Sequence, residues 1–152
     1  MLDIPDAARR GQFTTLLLGT LRAEPDGGLR VRVAGGGHPV PLLVDGAGAV
    51  TPVEVGGMPV GAVPGARIDE AEVRLRPGEL LVARTDGVTE ARGGPHGTEM
   101  FGERRLHRAL VEATGSSPAA LVDRVLRLVD EWCGGHRHDD VAMLAVSPAE
   151  RG

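Results

Sequence analysis

A chain of 152 residues with 41% apolar and 25% charged side chains can bury a core and is too apolar to stay disordered. Its net charge of -4 at pH 7 supplies no general basic surface, which argues against nucleic acid as a partner. No apolar run approaches membrane-spanning length, the N-terminal residues lack the features of a signal peptide, and the lone Cys133 cannot form an internal disulfide. A soluble protein of the reducing cytoplasm, with no membrane partner, is therefore expected. All 17 basic residues are arginine; with 23 glycines and 11 prolines this reads as a bias of the coding sequence. No internal repeat and no long linker divides the chain.

Residues 1–12 are polar, and Ala7-Ala8-Arg9-Arg10 suits the last turn of a helix. Residues 13–21 read as a core strand, residues 25–28 as a turn, and residues 29–33 alternate with period two, which predicts a hairpin with one wet face. Gly35-Gly36-Gly37 before His38 predicts close backbone approach or positive φ. His38 reads first as a packed, hydrogen-bonded turn histidine and second as a ligand or acid. Residues 41–44 form another short strand, residues 51–55 a weaker one, and residues 56–65 an ordered Gly/Pro loop packed on the sheet. Residues 68–75 alternate, with a phase slip near Ala71 that suggests a bulge. Arg76-Pro77-Gly78 then turns the chain into the next strand as a second hairpin.

That next strand is Leu80-Leu81-Val82-Ala83, an unbroken apolar run ending in Asp86-Gly87. A carboxylate there stands where a core strand reaches the surface, and Gly87 lets the chain turn and leaves room beside it. Hard divalent cations bind oxygen ligands on a stiff frame. By itself the pair reads first as an ordinary Asp-Gly turn. Residues 92–98 read as a loop, and a helix is expected from about Glu103, with Leu106, Ala109, Leu110 and Ala113 at helical spacing. Ser117-Pro118 opens another helix with an N-cap and a first-position proline, and Gly134-Gly135 closes it. Its apolar stripe is Leu121, Val122, Val125, Leu128, Val129 and Trp132, and Asp123 with Arg127 is a favourable pair. His136-Arg137-His138-Asp139-Asp140 follows, and residues 141–146 read as a final buried strand. If that strand runs antiparallel beside the Leu80 strand, Asp86 and Asp139 meet at one sheet edge. Two such carboxylates repel unless a cation or proton compensates.

Taken in order, these stretches resemble a known family. Thr85-Asp86-Gly87-Val88-Thr89-Glu90-Ala91, Phe101-Gly102-Glu103-Arg104 and Asp139-Asp140-Val141-Ala142 resemble the SpoIIE/RsbU branch of the metal-dependent PPM protein serine/threonine phosphatases. Phe13-Thr14-Thr15-Leu16 through Gly19, Gly36-Gly37-His38-Pro39 and Gly57-Met58-Pro59-Val60-Gly61 are similar to the same family's order and spacing. The resemblance implies an α+β fold, an α-β-β-α sandwich of two antiparallel sheets flanked by helices. It implies two Mn²⁺ or Mg²⁺ ions, with Asp86 and Asp139 as metal ligands and Gly87 and Asp140 as supporting or auxiliary-metal residues. No protein nucleophile is then required. The implied substrate is phosphoserine or phosphothreonine on a bacterial regulatory protein such as an anti-sigma factor antagonist.

The family's other metal motif, Asp-x-x-Gly-x-Gly, has no counterpart here, since Asp3 and Asp6 do not reproduce it. Residues 1–152 are accordingly expected to be a single, N-terminally truncated phosphatase domain with little or no turnover of its own. Gly35 stands where the family usually has Asn. A non-catalytic, degenerate phosphatase module that binds a regulatory partner is the alternative. A third reading takes His136-x-His138-Asp139-Asp140 as the ligand loop of a metallo-β-lactamase-like hydrolase, for which only His38, His96 and His107 remain as further histidines.

Overall fold

The computed structural model describes residues 13–135 and 140–149. Two antiparallel sheets account for most of the strands. One has the order β1 (Leu16–Ala23), β2 (Leu29–Gly36), β5 (Asp69–Leu75). The other has the order β4 (Val50–Pro52), β3 (Leu42–Val44), β6 (Leu80–Arg84), β9 (Met143–Val146). Three helices follow β6 in the chain: α1 (Gly87–Glu90), α2 (Gly102–Glu112) and α3 (Pro118–Trp132). A small ribbon, β7 (Arg92–Gly93) with β8 (Glu99–Met100), lies between α1 and α2. Among the described residues no helix is long and apolar enough to cross a membrane.

The core has two compartments, and strand alternation explains them. Val31 and Val33 of β2, Leu75 of β5 and Leu81 of β6 point between the sheets and bury each other. Leu80 and Val82 of β6 point the opposite way and pack with Val44 against Leu106, Leu110, Leu121 and Val125 of the two long helices. Both faces of β6 are thus covered, which is why its sequence is continuously apolar rather than alternating. The α3 stripe behaves as expected: Leu121, Val125 and Val129 are buried and Val122, Leu128 and Trp132 are half-buried beside them. Ser117 Oγ accepts from Ala120 N at 3.3 Å, and the Gly134 and Gly135 N–H groups close the other end on Glu131 and Asp130 carbonyls.

The architecture is α+β with antiparallel sheets, as the motifs imply. Among the described residues, helices cover only the four-stranded sheet. The outer face of the three-stranded sheet carries Arg30, Arg32, Glu70, Glu72 and Arg74, all exposed and joined in ion pairs.

Four expectations are corrected. Residues 76–79 are a turn, but they carry the chain from one sheet to the other, so β5 and β6 form no hairpin. The apolar run of β6 is satisfied only between β3 and β9, where both its faces are buried. No bulge interrupts β5, whose register with β2 is continuous from Leu29↔Leu75 to Gly35↔Asp69. The apparent phase slip arises because Ile68 lies outside the strand, in an isolated bridge to Gly57. Strand β9 is shorter than expected and, among the described residues, forms an edge, with Leu144 63% exposed. Residues 13–21 do not form a core strand: β1 pairs with β2 alone among the described residues, and Leu18 and Leu21 are 59% and 55% exposed.

The glycine triplet is as read. Gly37 has φ +70°, and a Cβ on Gly35 or Gly36 would meet Gly56 O at 2.8 Å or the Ile68 side chain at 2.9 Å. The 56–65 loop therefore packs directly on the end of β2, where any larger residue would hold it away.

Candidate metal centre

The candidate centre is built at the end of β6. Arg84 is the last strand residue, and Asp86 follows two positions later as the N-cap of α1. Its backbone carbonyl accepts from Thr89 N at 2.9 Å and Glu90 N at 2.8 Å. Val88, fully buried, pins this helical turn into the helix-side core. The Asp86 side chain takes no part in capping, is exposed, and makes no hydrogen bond among the described residues. A carboxylate with unused lone pairs thus stands on a backbone that cannot easily move. Gly87 beside it is half-buried and adds no side chain.

The second half of the candidate centre comes from the chain entering β9. Strands β6 and β9 are antiparallel, with Arg84 opposite Met143. Thr85 continues the contact by three bonds. Its N–H donates to Ala142 O at 3.0 Å, its hydroxyl donates to Asp140 O at 2.5 Å, and Ala142 N donates back to the hydroxyl oxygen at 3.0 Å. Residues 140–142 are thereby held beside Thr85–Asp86, as the sheet-edge argument requires. Asp140 is exposed and adopts φ +60°, a left-handed conformation that Asp tolerates better than most residues. Asp139, with His136, His138, Asp3 and Asp6, lies outside the described residues.

The surroundings hold features the sequence reading did not single out. Arg84 is 6% exposed, points to the helix side, donates to Val40 O at 3.2 Å and pairs with Glu103 at the start of α2, while its Nε has no partner. It ties the end of β6 both to the loop after His38 and to α2. His38 itself is half-buried, with Nδ1 3.4 Å from Thr15 Oγ1, in keeping with a packed turn histidine. Trp132, read only as part of the helix stripe, also anchors the 92–100 segment. Its Nε1 donates to Glu99 O at 3.0 Å, its carbonyl accepts from Gly94 N at 3.1 Å, and the Arg105 guanidinium stacks 3.7 Å from its ring centroid. A Cβ on Gly93 would lie 1.9 Å from Trp132 O, so only glycine fits there. The Gly93-Gly94 doublet was the available signal for this contact. Cys133 follows at the end of α3; burial pushes its thiol pKa up, and Asp130 adds to the effect.

Asp86 suits a hard cation by its donor type, exposure and lack of other bonds. It does not make a centre alone: among the described residues no group of three or more His, Cys, Asp or Glu side chains gathers where an ion could sit.

Comparison with known proteins agrees with this frame. Residues 3–148 match the family described as Stage II sporulation protein E (SpoIIE). Protein IcfG of Synechocystis sp. is 30% identical over 135 residues, which is 88% of this chain and 20% of that protein. The phosphatase domain of the cell fate determinant SpoIIE from Bacillus subtilis superposes with a TM-score of 0.66 at 18% identity, covering 90% of this chain and 58% of that one. The RsbU and RsbW domains of Rv1364c from Mycobacterium tuberculosis give a TM-score of 0.65 at 26% identity, covering 86% of this chain and 35% of that one. The chain thus spans less than two thirds of the length of these relatives. With a match over nearly its whole length and the fold of those phosphatase domains, the chain belongs to the SpoIIE family, in the SpoIIE/RsbU-like branch of the PPM phosphatases.

Proposed function

We propose that the chain acts as a metal-dependent protein serine/threonine phosphatase domain, directed at phosphoserine or phosphothreonine on a bacterial regulatory protein such as an anti-sigma factor antagonist. The observation that carries this reading is the uncommitted Asp86 carboxylate at the rigid junction of β6 and the chain entering β9. Asp86 and Asp139 would hold Mn²⁺ or Mg²⁺, with Asp140 as an auxiliary donor. Such ions would supply Lewis-acid activation of water and would offset charge on the transferring phosphoryl group.

The chain's own residues supply position. Val88 fixes the turn that carries Asp86, and Thr85 fixes the distance between that turn and residues 140–142. Gly87 leaves the space beside the carboxylate open. Arg84 holds the base of the site to α2 and to Val40. No serine, cysteine or histidine is required to attack phosphorus in this reading.

The second reading is a non-catalytic module that binds a regulatory partner. Hydrolysis of a phosphoserine peptide separates the two. With the family's upstream metal motif restored, the phosphatase reading expects turnover that needs Mn²⁺ or Mg²⁺, stops with chelator and is lost in Asp86→Asn. Full activity in Asp86→Asn removes Asp86 from its role. Absence of metal-dependent turnover, together with chelator-insensitive capture of a partner, favours the second reading.

A further inference from the structure

Arg84 is the only buried charged side chain among the described residues. A guanidinium taken out of water is held in place only where carboxylates and carbonyls replace the lost hydration. Two groups do so here. Nη1 donates to Val40 O at 3.2 Å, and Nη2 pairs with the Glu103 carboxylate. Nε has no partner among the described residues. Glu103 is thus the one described carboxylate that compensates this charge.

A fixed frame presents Glu103 to the guanidinium. Phe101, just before α2, is buried, and its N–H donates to Ala91 O at 2.8 Å. Ala91 ends α1, and Val88, Ala91 and Phe101 share the helix-side core. The start of α2 is therefore tied to the same helical turn that Asp86 opens. An acidic residue in the first turn of α2 is well placed without any partner. Glu103 nonetheless reaches back to Arg84, although its side chain is 68% exposed.

Asp86 competes for the same cation. It stands two residues after Arg84, about 6–7 Å along an extended chain and within reach of an arginine side chain. Its carboxylate is exposed and makes no hydrogen bond among the described residues. An ion pair between the two would occupy the oxygens that a metal ion needs, and the guanidinium is turned to Glu103 instead.

We propose that Glu103 is a positioning residue that keeps Arg84 off Asp86 and so leaves the Asp86 carboxylate open to a cation. Openness to a cation rests on reading Asp86 as a metal ligand; the choice of partner by Arg84 does not. With Glu103 made neutral, the buried guanidinium lacks a carboxylate, and Asp86 is the nearest one along the chain.

Two measurements on the 152-residue chain test this. In the first, Mn²⁺ binding is followed by the loss of the free-ion electron paramagnetic resonance signal. Glu103→Gln is expected to weaken binding ~10-fold or more. Adding Arg84→Met to Glu103→Gln is expected to recover binding, because the competing cation is gone; a pair that merely held the fold together would give no recovery. The second is a set of metal-free thermal melts. Asp86→Asn is expected to shift Tm by ~2 °C at most in the wild-type background. In the Glu103→Gln background it should lower Tm by a further ~2–4 °C, because the new Arg84–Asp86 pair is lost. Should Glu103→Gln fail to fold, Glu103→Asp, one methylene shorter and still charged, replaces it in both measurements with smaller changes of the same sign. Wild-type Mn²⁺ affinity in Glu103→Gln, no recovery in the double variant, or an equal Asp86→Asn shift in both backgrounds would each overturn the proposal. A wild-type chain that binds no Mn²⁺ would remove Asp86 as a ligand, and the melts alone would then decide which carboxylate Arg84 takes.

Discussion

The two sheets of this molecule solve the same problem differently. The four-stranded sheet is covered on both faces, by helices on one side and by the other sheet on the other. Among the described residues the three-stranded sheet is covered on one face only; its outer face is a lattice of arginine and glutamate, and β1 is exposed along almost its whole length. The candidate metal centre rises from the better-covered sheet. Rigidity comes from burial, and a metal ligand needs a backbone that does not yield. The thinly covered sheet contributes closure of the inter-sheet core.

Core truncation separates the two regions most widely. Leu106→Ala, fully buried under the four-stranded sheet, is expected to cost ~2–5 kcal/mol. Leu18→Ala, on the exposed face of β1, should fall within about 0.5 kcal/mol of wild type. Denaturant unfolding of both variants checks this, and similar losses would mean that the sheets are equally well packed. Glycine substitution makes the same comparison through backbone approach. Gly93→Ala must displace the Trp132 carbonyl and is expected to cost ~1–3 kcal/mol. At Gly19 the nearest atom to an added Cβ is Arg32 O at 3.8 Å, so Gly19→Ala should be close to neutral in a thermal melt.

A third substitution probes the junction between β6 and β9. Thr85→Val keeps the side-chain shape and removes a hydroxyl that donates to Asp140 O and accepts from Ala142 N. A loss of ~1–2 kcal/mol is expected. It should be accompanied by faster amide exchange at Ala142, the direct sign that the two strands have parted. At Cys133, buried in the helix-side core, alkylation should be slow in the native protein and fast once it unfolds. Native-state alkylation at the unfolded rate would place α3's end in solvent.

The smallest effect concerns Glu112 on α2. Hydrogen bonds from Arg108 and Arg124 hold its carboxyl below the usual range. A depressed folded-state pKa contributes stability above the unfolded value, and that contribution disappears as pH falls through the folded value. Because Glu112 is exposed, the effect should be slight and screened by salt. Comparing Glu112→Gln with wild type between neutral and acid pH, at low and high salt, reads it out.

What could be read from the sequence was local or periodic. The Leu80–Ala83 run, the Leu106–Ala113 and Leu121–Trp132 stripes and the Ser117-Pro118 cap each carry their structure in their own spacing. The position of Asp86 at the end of a core strand followed from the same run. Sheet membership did not, because a Pro-Gly turn between two strands looks the same whether the second strand pairs with the first or crosses to the opposite sheet. Residues 76–79 do the latter. The one-turn helix after Asp86 is too short to show a period. The Trp132–Gly93 contact joins residues 39 positions apart by a fit of backbone to backbone, and spacing alone does not register such a fit. At the candidate centre, Arg84 was hidden for a different reason: an arginine after an apolar run reads as the point where the strand leaves the core, whereas here it is buried with it.

The account rests on Asp86 as a ligand held ready by β6. Titration of the chain with Mn²⁺, followed by the loss of the free-ion electron paramagnetic resonance signal, tests that most directly. Binding by wild type that weakens strongly in Asp86→Asn, with the fold unchanged by circular dichroism, is the result expected. Equal Mn²⁺ binding by the two proteins would contradict it.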